Sequence, residues 1–255
     1  VDIDINAADL GADDSAVTAG NDLVELENVF ALDVGNGGDE LVASELYVAL
    51  DVDIDVTGSA YADADAIFMS SNDIAAADFY SNDSIDLDDV TAKVDMNLNT
   101  GVYVEAHDEE IDVNSVRALD FNAAELDLET FDVDMTIDAS ADSVYAEVFV
   151  TATGVGADDV SDSVKISGGS VDIHLTGYAN AADAGEGDDA VYLEAVGVWS
   201  SANYTSMHDV DIDVELDGSA YDSMGYVETW AYGAWISGAD LASVSVGADN
   251  AIAVK

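Results

Sequence analysis

A short alternating signature recurs along the chain: Val-Asp-(Ile/Met) begins at Val1, Val52, Val94, Val133, Val171 and Val210, so the successive spacings are 51, 42, 39, 38 and 39. Sequence periods of about 20 to 50 residues mark architectures that stack one supersecondary unit on the next. Within each copy the alternation is strict. Val52, Ile54 and Val56 share one face with Asp51, Asp53 and Asp55 on the other, and Val210, Ile212, Val214 and Leu216 repeat this against Asp211, Asp213 and Glu215. A period of two is that of a strand with one buried and one solvated face. The openers Val52, Ile54, Val94, Met96, Val133, Met135, Val171, Ile173, Val210 and Ile212 are therefore expected inside, and Asp53, Asp95, Asp134, Asp172 and Asp211 outside.

A second strand type follows each opener, at Leu46-Tyr47-Val48, Val102-Tyr103-Val104-Glu105, Val144-Tyr145-Ala146-Glu147, Val191-Tyr192-Leu193-Glu194 and Tyr226-Val227-Glu228. From Val191 to Trp199 both faces are apolar except for Glu194, which predicts burial on both sides, between layers or between subunits. Gly-(Ala/Asn)-Asp at Gly11, Gly20, Gly156, Gly238 and Gly247 reads as a set of corners, since Gly permits positive φ and Asp bonds to its own backbone. Asp120 to Asp127 comes nearest to a helical stripe, yet Leu119, Phe121, Leu126 and Leu128 read equally well in strand period.

Composition supports the same class. The chain has no Pro, the residue that cannot donate to a backbone ladder, and no Cys, which excludes disulfides, thiolate zinc sites and a Cys nucleophile. Its 56 acids face 4 Lys and Arg, a net charge of −52, so nucleic acid and anionic membrane surfaces are repelled. With 49% of residues hydrophobic it is nonetheless too apolar for a disordered polyanion. The acids are 42 Asp against 14 Glu, a bias toward turns and short calcium-binding carboxylates and away from helix. No run of about 20 apolar residues implies membrane insertion. Val1 in place of Met, few Lys and no Cys are read as a processed, secreted product at the cell surface or outside the cell.

The expected fold is all-β with very little helix: a parallel β-solenoid of ~39-residue units, each making about two coils of ~19 residues. The alternative is an antiparallel sandwich or meander in which each opener pairs with its Tyr-Glu strand as a hairpin. Residues 1–50 read as an irregular β segment capping a repeat domain over 51–255, with units starting near 52, 94, 133, 171 and 210.

Carboxylates at i and i+2 lie about 7 Å apart, and strands stacked about 4.8 Å away would make an acid lattice that needs counter-ions. Calcium or another divalent cation fits the ligand type, with Asp53, Asp55, Asp211 and Asp213 as candidate ligands. Gly35, Gly37, Asp39 and Leu41, and again Gly185, Gly187, Asp189 and Val191, spell Gly-x-Gly-x-Asp-x-(apolar). These two loops resemble the calcium-binding nonapeptide of secreted RTX proteins, which implies Asp39 and Asp189 as ligands; the copies stand apart rather than in tandem, and the same residues also read as Gly-Asp turns. His107, His174 and His208 are scattered and read as surface residues. Asn82 and Asn203 head N-glycosylation sequons. Trp199, Tyr226, Trp230, Tyr232 and Trp235 gather near the C-terminal end, either as core or as an assembly or sugar-stacking face.

These features point first to a secreted structural protein that polymerises with itself into a filament, sheath or surface layer, with divalent cations on its acidic faces. A calcium-dependent adhesin or carbohydrate-binding module with glycan partners is the alternative. A polysaccharide-active enzyme comes third, because acids this abundant offer paired carboxylates by chance.

Overall fold

The computed structural model describes residues 1–10, 24–26, 28–36, 40–60, 67–69, 74–104, 111–143, 146–181, 190–220, 226–237, 243–246 and 251–254. These residues form fourteen strands in one sheet and no helix. In chain order the strands are β1 (Asp2–Leu10), β2 (Val24–Leu26), β3 (Val29–Asn36), β4 (Glu40–Ala60), β5 (Ile67–Met69), β6 (Ile74–Ser81) and β7 (Ser84–Val104). They continue as β8 (Ile111–Ser143), β9 (Glu147–Ala181), β10 (Ala190–Ser200), β11 (Tyr204–Ala220), β12 (Tyr226–Ile236), β13 (Ser243–Val246) and β14 (Ala251–Val254). Asp120 to Asp127, the nearest approach to a helical stripe, lies within β8.

Every pairing among the described residues is parallel, which excludes the hairpin alternative there. Partners stand one whole sequence unit apart, as Asp2 does from Asp51, Glu40 from Ser84, Asp132 from Ser170 and Ala190 from Tyr226. The expected half-unit coil of ~19 residues is not seen: no pairing among the described residues joins residues that close in sequence. Residues 1–50, expected as an irregular cap, contribute β1, β2, β3 and the start of β4 to these same columns.

The parallel register stacks like on like. Leu50, Val94, Met135, Ile173 and Val214 form one buried column. The openers are not all in register: Val52 pairs with Met96 rather than Val94, whereas Val133 pairs with Val171. Elsewhere the openers slip by two residues, and an even slip keeps each side chain on its face. Hence all ten expected inward residues are buried, and Asp53, Asp134, Asp172 and Asp211 are exposed with Asp95 half-exposed.

The acid lattice is interrupted. Asp53, Asn97, Asp138, Thr176 and Asp217 share one outer column, so each carboxylate stacks on a neutral partner, and Asn97 Nδ2 donates to Asp53 Oδ1 at 3.2 Å. Elsewhere the Ser170 hydroxyl donates to Asp132 at 2.6 Å and Asn180 Nδ2 to Asp142 at 2.9 Å. Acids stack on acids at Asp51 and Asp95 and along Asp134, Asp172 and Asp213.

Glu45, Asp89, Thr130, Gly168 and Asp209 share one column and all have positive φ, between 49° and 64°. Each is one extra residue between apolar positions, as in Leu87-Asp88-Asp89-Val90 and Leu128-Glu129-Thr130-Phe131. The backbone is left-handed there within continuous strands. Left-handed backbone disfavours a β-branched residue most and Asn least. Thr130→Asn is accordingly expected to stabilise the fold by about 1 kcal/mol in urea titration.

The core also closes across its thickness. Ala118, Gly154, Gly197 and Gly233 occupy one column, fixed by the paired rows Arg117, Thr153, Val196, Tyr232 and Leu119, Val155, Val198, Ala234 on either side. A Cβ on Gly154 would come within 2.5 Å of Val171 Cγ1, and one on Gly197 within 2.4 Å of Ile212 Cγ2, so the opener strands seat directly on this stripe of small residues.

Candidate assembly edge and the Arg117 groove

One column runs from β2 through β5, β8, β9 and β10 to β12. Along it Ile111, Val148 and Val191 are at most 1% exposed, but Val227 is 40% exposed, because among the described residues no strand covers the far side of β12. The same edge carries the expected aromatic group. Trp199 lies 6.2 Å from Trp235, Tyr232 lies 5.0 Å from Trp235 and 6.4 Å from Trp230, centroid to centroid. Tyr226 Oη and Trp230 Nε1 both donate to Glu228, at 2.7 and 2.6 Å. Trp230 and Trp235 remain 45% and 41% exposed. Parallel stacking gathers these residues, since Trp199 and Trp235 are register partners.

Arg117, which the sequence reading passed over, is the most buried charged residue described, with its side chain 7% exposed. Its Nη1 donates to Asp120 at 2.6 Å and to Asp158 at 2.8 Å, its Nη2 to Asp158 at 3.2 Å, and its guanidinium carbon sits 5.8 Å from the Trp199 ring centroid. To get there it crosses Gly156, where a Cβ would meet Arg117 Nη1 at 3.0 Å and Cδ at 3.1 Å. The expected corner Gly156-Ala157-Asp158 is instead extended strand within β9, whose glycine makes room for the guanidinium and whose Asp158 binds it. Gly11, Gly20, Gly238 and Gly247 lie outside the described residues.

Arg117, Ser115, Thr151, Thr153, Asp158, Glu194 and Trp199, together with Ala152 and Val196, line a groove of about 370 Å³. Glu194 Oε2 accepts a 2.6 Å hydrogen bond from Tyr192 Oη, and Tyr192 stacks on Phe149 at 4.6 Å with the rings 4° from parallel. Burial and the Glu194 carboxylate raise the Tyr192 pKa, so the phenol stays a donor.

Beside the groove Asp33, Asp78 and Asp120 stack on one another. Burial, then the neighbouring Asp120 and Asp33 carboxylates, push Asp78 up to about 6. A carboxyl raised in the folded state keeps its proton while the unfolded chain has lost its own, so stability falls as pH rises from the unfolded value near 3.8 through about 6. Thermal melts should show Asp78→Asn more stable than the parent at pH 7, with the difference gone by pH 4.

Among the described residues no group of three or more His, Asp or Glu is placed to hold a metal ion. Asp53 and Asp55 lie on β4 and Asp211 and Asp213 on β11, and no pairing brings the two sets together. Asp39, Asp189 and His107 lie outside the described residues. His174 Nδ1 is 3.9 Å from Glu215 and His208 Nδ1 2.8 Å from Asp209, both at the surface. Asn82 and Asn203 are exposed, Asn82 between β6 and β7 and Asn203 between β10 and β11. No helix among the described residues is long and apolar enough to cross a membrane.

No protein-family model matches the chain, and neither a curated protein nor a solved structure matches it.

Proposed function

We propose that this protein is a self-assembling structural subunit, in which each sequence unit forms one layer of a parallel β-solenoid whose columns continue head to tail from copy to copy. The observation that carries the reading is the end of the ladder: among the described residues the column that ends on β12 begins on β2 and β3, so its two end strands present the same side-chain positions. Continuing the register sets Val227 against Val24 of the next copy, Tyr232 against Phe30 and Ala234 against Leu32. A contact between two different surfaces of one molecule repeats without closing, unless its rotation makes a ring.

Edge chemistry supports this. Proteins that stay monomeric blunt exposed strands with Lys, Pro or inward charges. β12 has neither Lys nor Pro, and Glu228 is its one charged residue. The product is an extracellular filament, sheath or surface layer, working by assembly rather than catalysis. Divalent cations, calcium by ligand type, act where acids stack on acids and between copies, where they lower the repulsion of a −52 chain.

Light scattering and negative-stain microscopy test it at low ionic strength. Filaments are expected with calcium, shortening with chelator, and returning on acidification toward pH 4. Val227→Lys with Trp235→Lys should leave a folded monomer. A monodisperse parent in calcium, in high salt and at pH 4 alike would overturn the reading.

A further inference from the structure

Resting on the self-assembly reading, we infer that its head-to-tail junction is a proton-controlled switch. Trp235 of one copy covers the Asp33–Asp78–Asp120 stack of the next, and the junction closes as that stack takes up a proton. Register supplies the geometry. Asp33, Asp78 and Asp120 are successive partners in one column, which continues through Gly156 and Trp199 to Trp235. Continuing it by one layer of about 4.8 Å sets Trp235 against Asp33 of the next copy, one position beyond the match of Ala234 with Leu32.

Both sides of that contact are accessible in the single subunit: Asp33 is exposed on β3, and Trp235 is 41% exposed on β12. Trp199 at 6.2 Å and Tyr232 at 5.0 Å back Trp235, so the surface arriving on Asp33 is aromatic and brings no cation. A carboxylate moved from water to the flank of an indole loses solvation, which favours its protonated form. The groups that face Asp78 are Asp33 from β3, Asp120 and Arg117 from β8, and Asp159 from β9. Of these Arg117 alone is positive, and Asp120 and Asp158 already hold it. The one charge on the arriving strand, Glu228, lies seven residues from Trp235, about 23 Å along β12.

In the single subunit burial, then Asp120 and Asp33, already push Asp78 up to about 6. Covering Asp33 removes water that screens the pair, so the stack holds its proton more tightly in the assembly. A carboxyl raised on assembly favours the assembled state in acid, and that contribution is lost as pH rises from about 6 through the assembled value. One proton taken up per added subunit changes the critical concentration about tenfold per pH unit.

Sedimentation of the whole chain at fixed ionic strength, with chelator present so that only protons vary, reads the critical concentration at pH 5 and pH 7. The parent is expected to assemble at pH 5 at a concentration at least tenfold below that at pH 7. Asp33→Asn with Asp78→Asn should assemble at pH 7 about as readily as the parent does at pH 5, with less than about a threefold difference between the two pH values. Asp86→Asn with Asp138→Asn removes the same two charges from exposed positions on the inner strands β7 and β8, and should keep the parental ratio at unchanged dichroism. A parental ratio under tenfold, or the same ratio in both double variants, overturns the switch and leaves the filament standing. No polymer from any of the three proteins at either pH overturns the self-assembly reading and the switch with it.

Discussion

Gly154→Val is expected to destabilise the protein by about 3 kcal/mol, with a lowered urea midpoint and an unchanged slope. A Cβ at this position would fall 2.5 Å from Val171 Cγ1 and 2.7 Å from the Gly197 carbonyl oxygen. The valine methyl can rotate away but the carbonyl belongs to the ladder, so the strand itself must shift. The loss should spread: Gly197 supports Gly233 in the next layer, where a Cβ on Gly197 would already approach the Gly233 oxygen at 2.5 Å. Gly35, beside which nothing lies within 4 Å, is the control, and Gly35→Ala should change little.

Arg117→Ala should cost about 3–5 kcal/mol at pH 7, the usual penalty for stranding the partners of a buried ion pair. Asp120 and Asp158 would then face each other without their cation. Asp120 is already raised by burial, with Arg117 opposing the shift, so removal of the arginine raises it further. The deficit should shrink as pH falls and Asp120 takes up its proton, and Arg117→Ala combined with Asp120→Asn and Asp158→Asn should recover most of the loss at pH 7. Denaturant titrations at pH 7 and pH 4.5 check both. A deficit independent of pH would mean that packing of the arginine stem, not charge, carries the effect.

Strand class was legible because period-two alternation depends only on which residues bear apolar side chains, and the inward set around Val52, Val133 and Ile212 is buried as alternation requires. Parallel pairing was less so, since the near-even spacing of the openers is compatible with one layer or two. The positive-φ column was hidden because four of its five members are not glycine. Its signal was nonetheless present, in two polar or small residues where alternation allows one, as at Leu87-Asp88-Asp89-Val90 and Met207-His208-Asp209-Val210. That the aromatics gather was legible from their positions late in the sequence, but core and edge were equally open readings there, and the register partners Trp199 and Trp235 come only from the fold. The Arg117 groove was not legible, because its members come from β8, β9 and β10 and only the register brings Arg117 across Gly156 to Trp199.

Fibre diffraction from aligned filaments tests the central claim, that the parallel ladder continues from copy to copy. Six layers lie along the column from β2 to β12, so with about 4.8 Å per layer each subunit should advance the filament by about 29 Å. The expected pattern is a reflection at about 4.8 Å along the filament axis with an axial subunit repeat of about 29 Å. A spacing of about 4.8 Å perpendicular to the axis, or an axial repeat doubled by two-fold related pairs, would contradict head-to-tail continuation of the ladder.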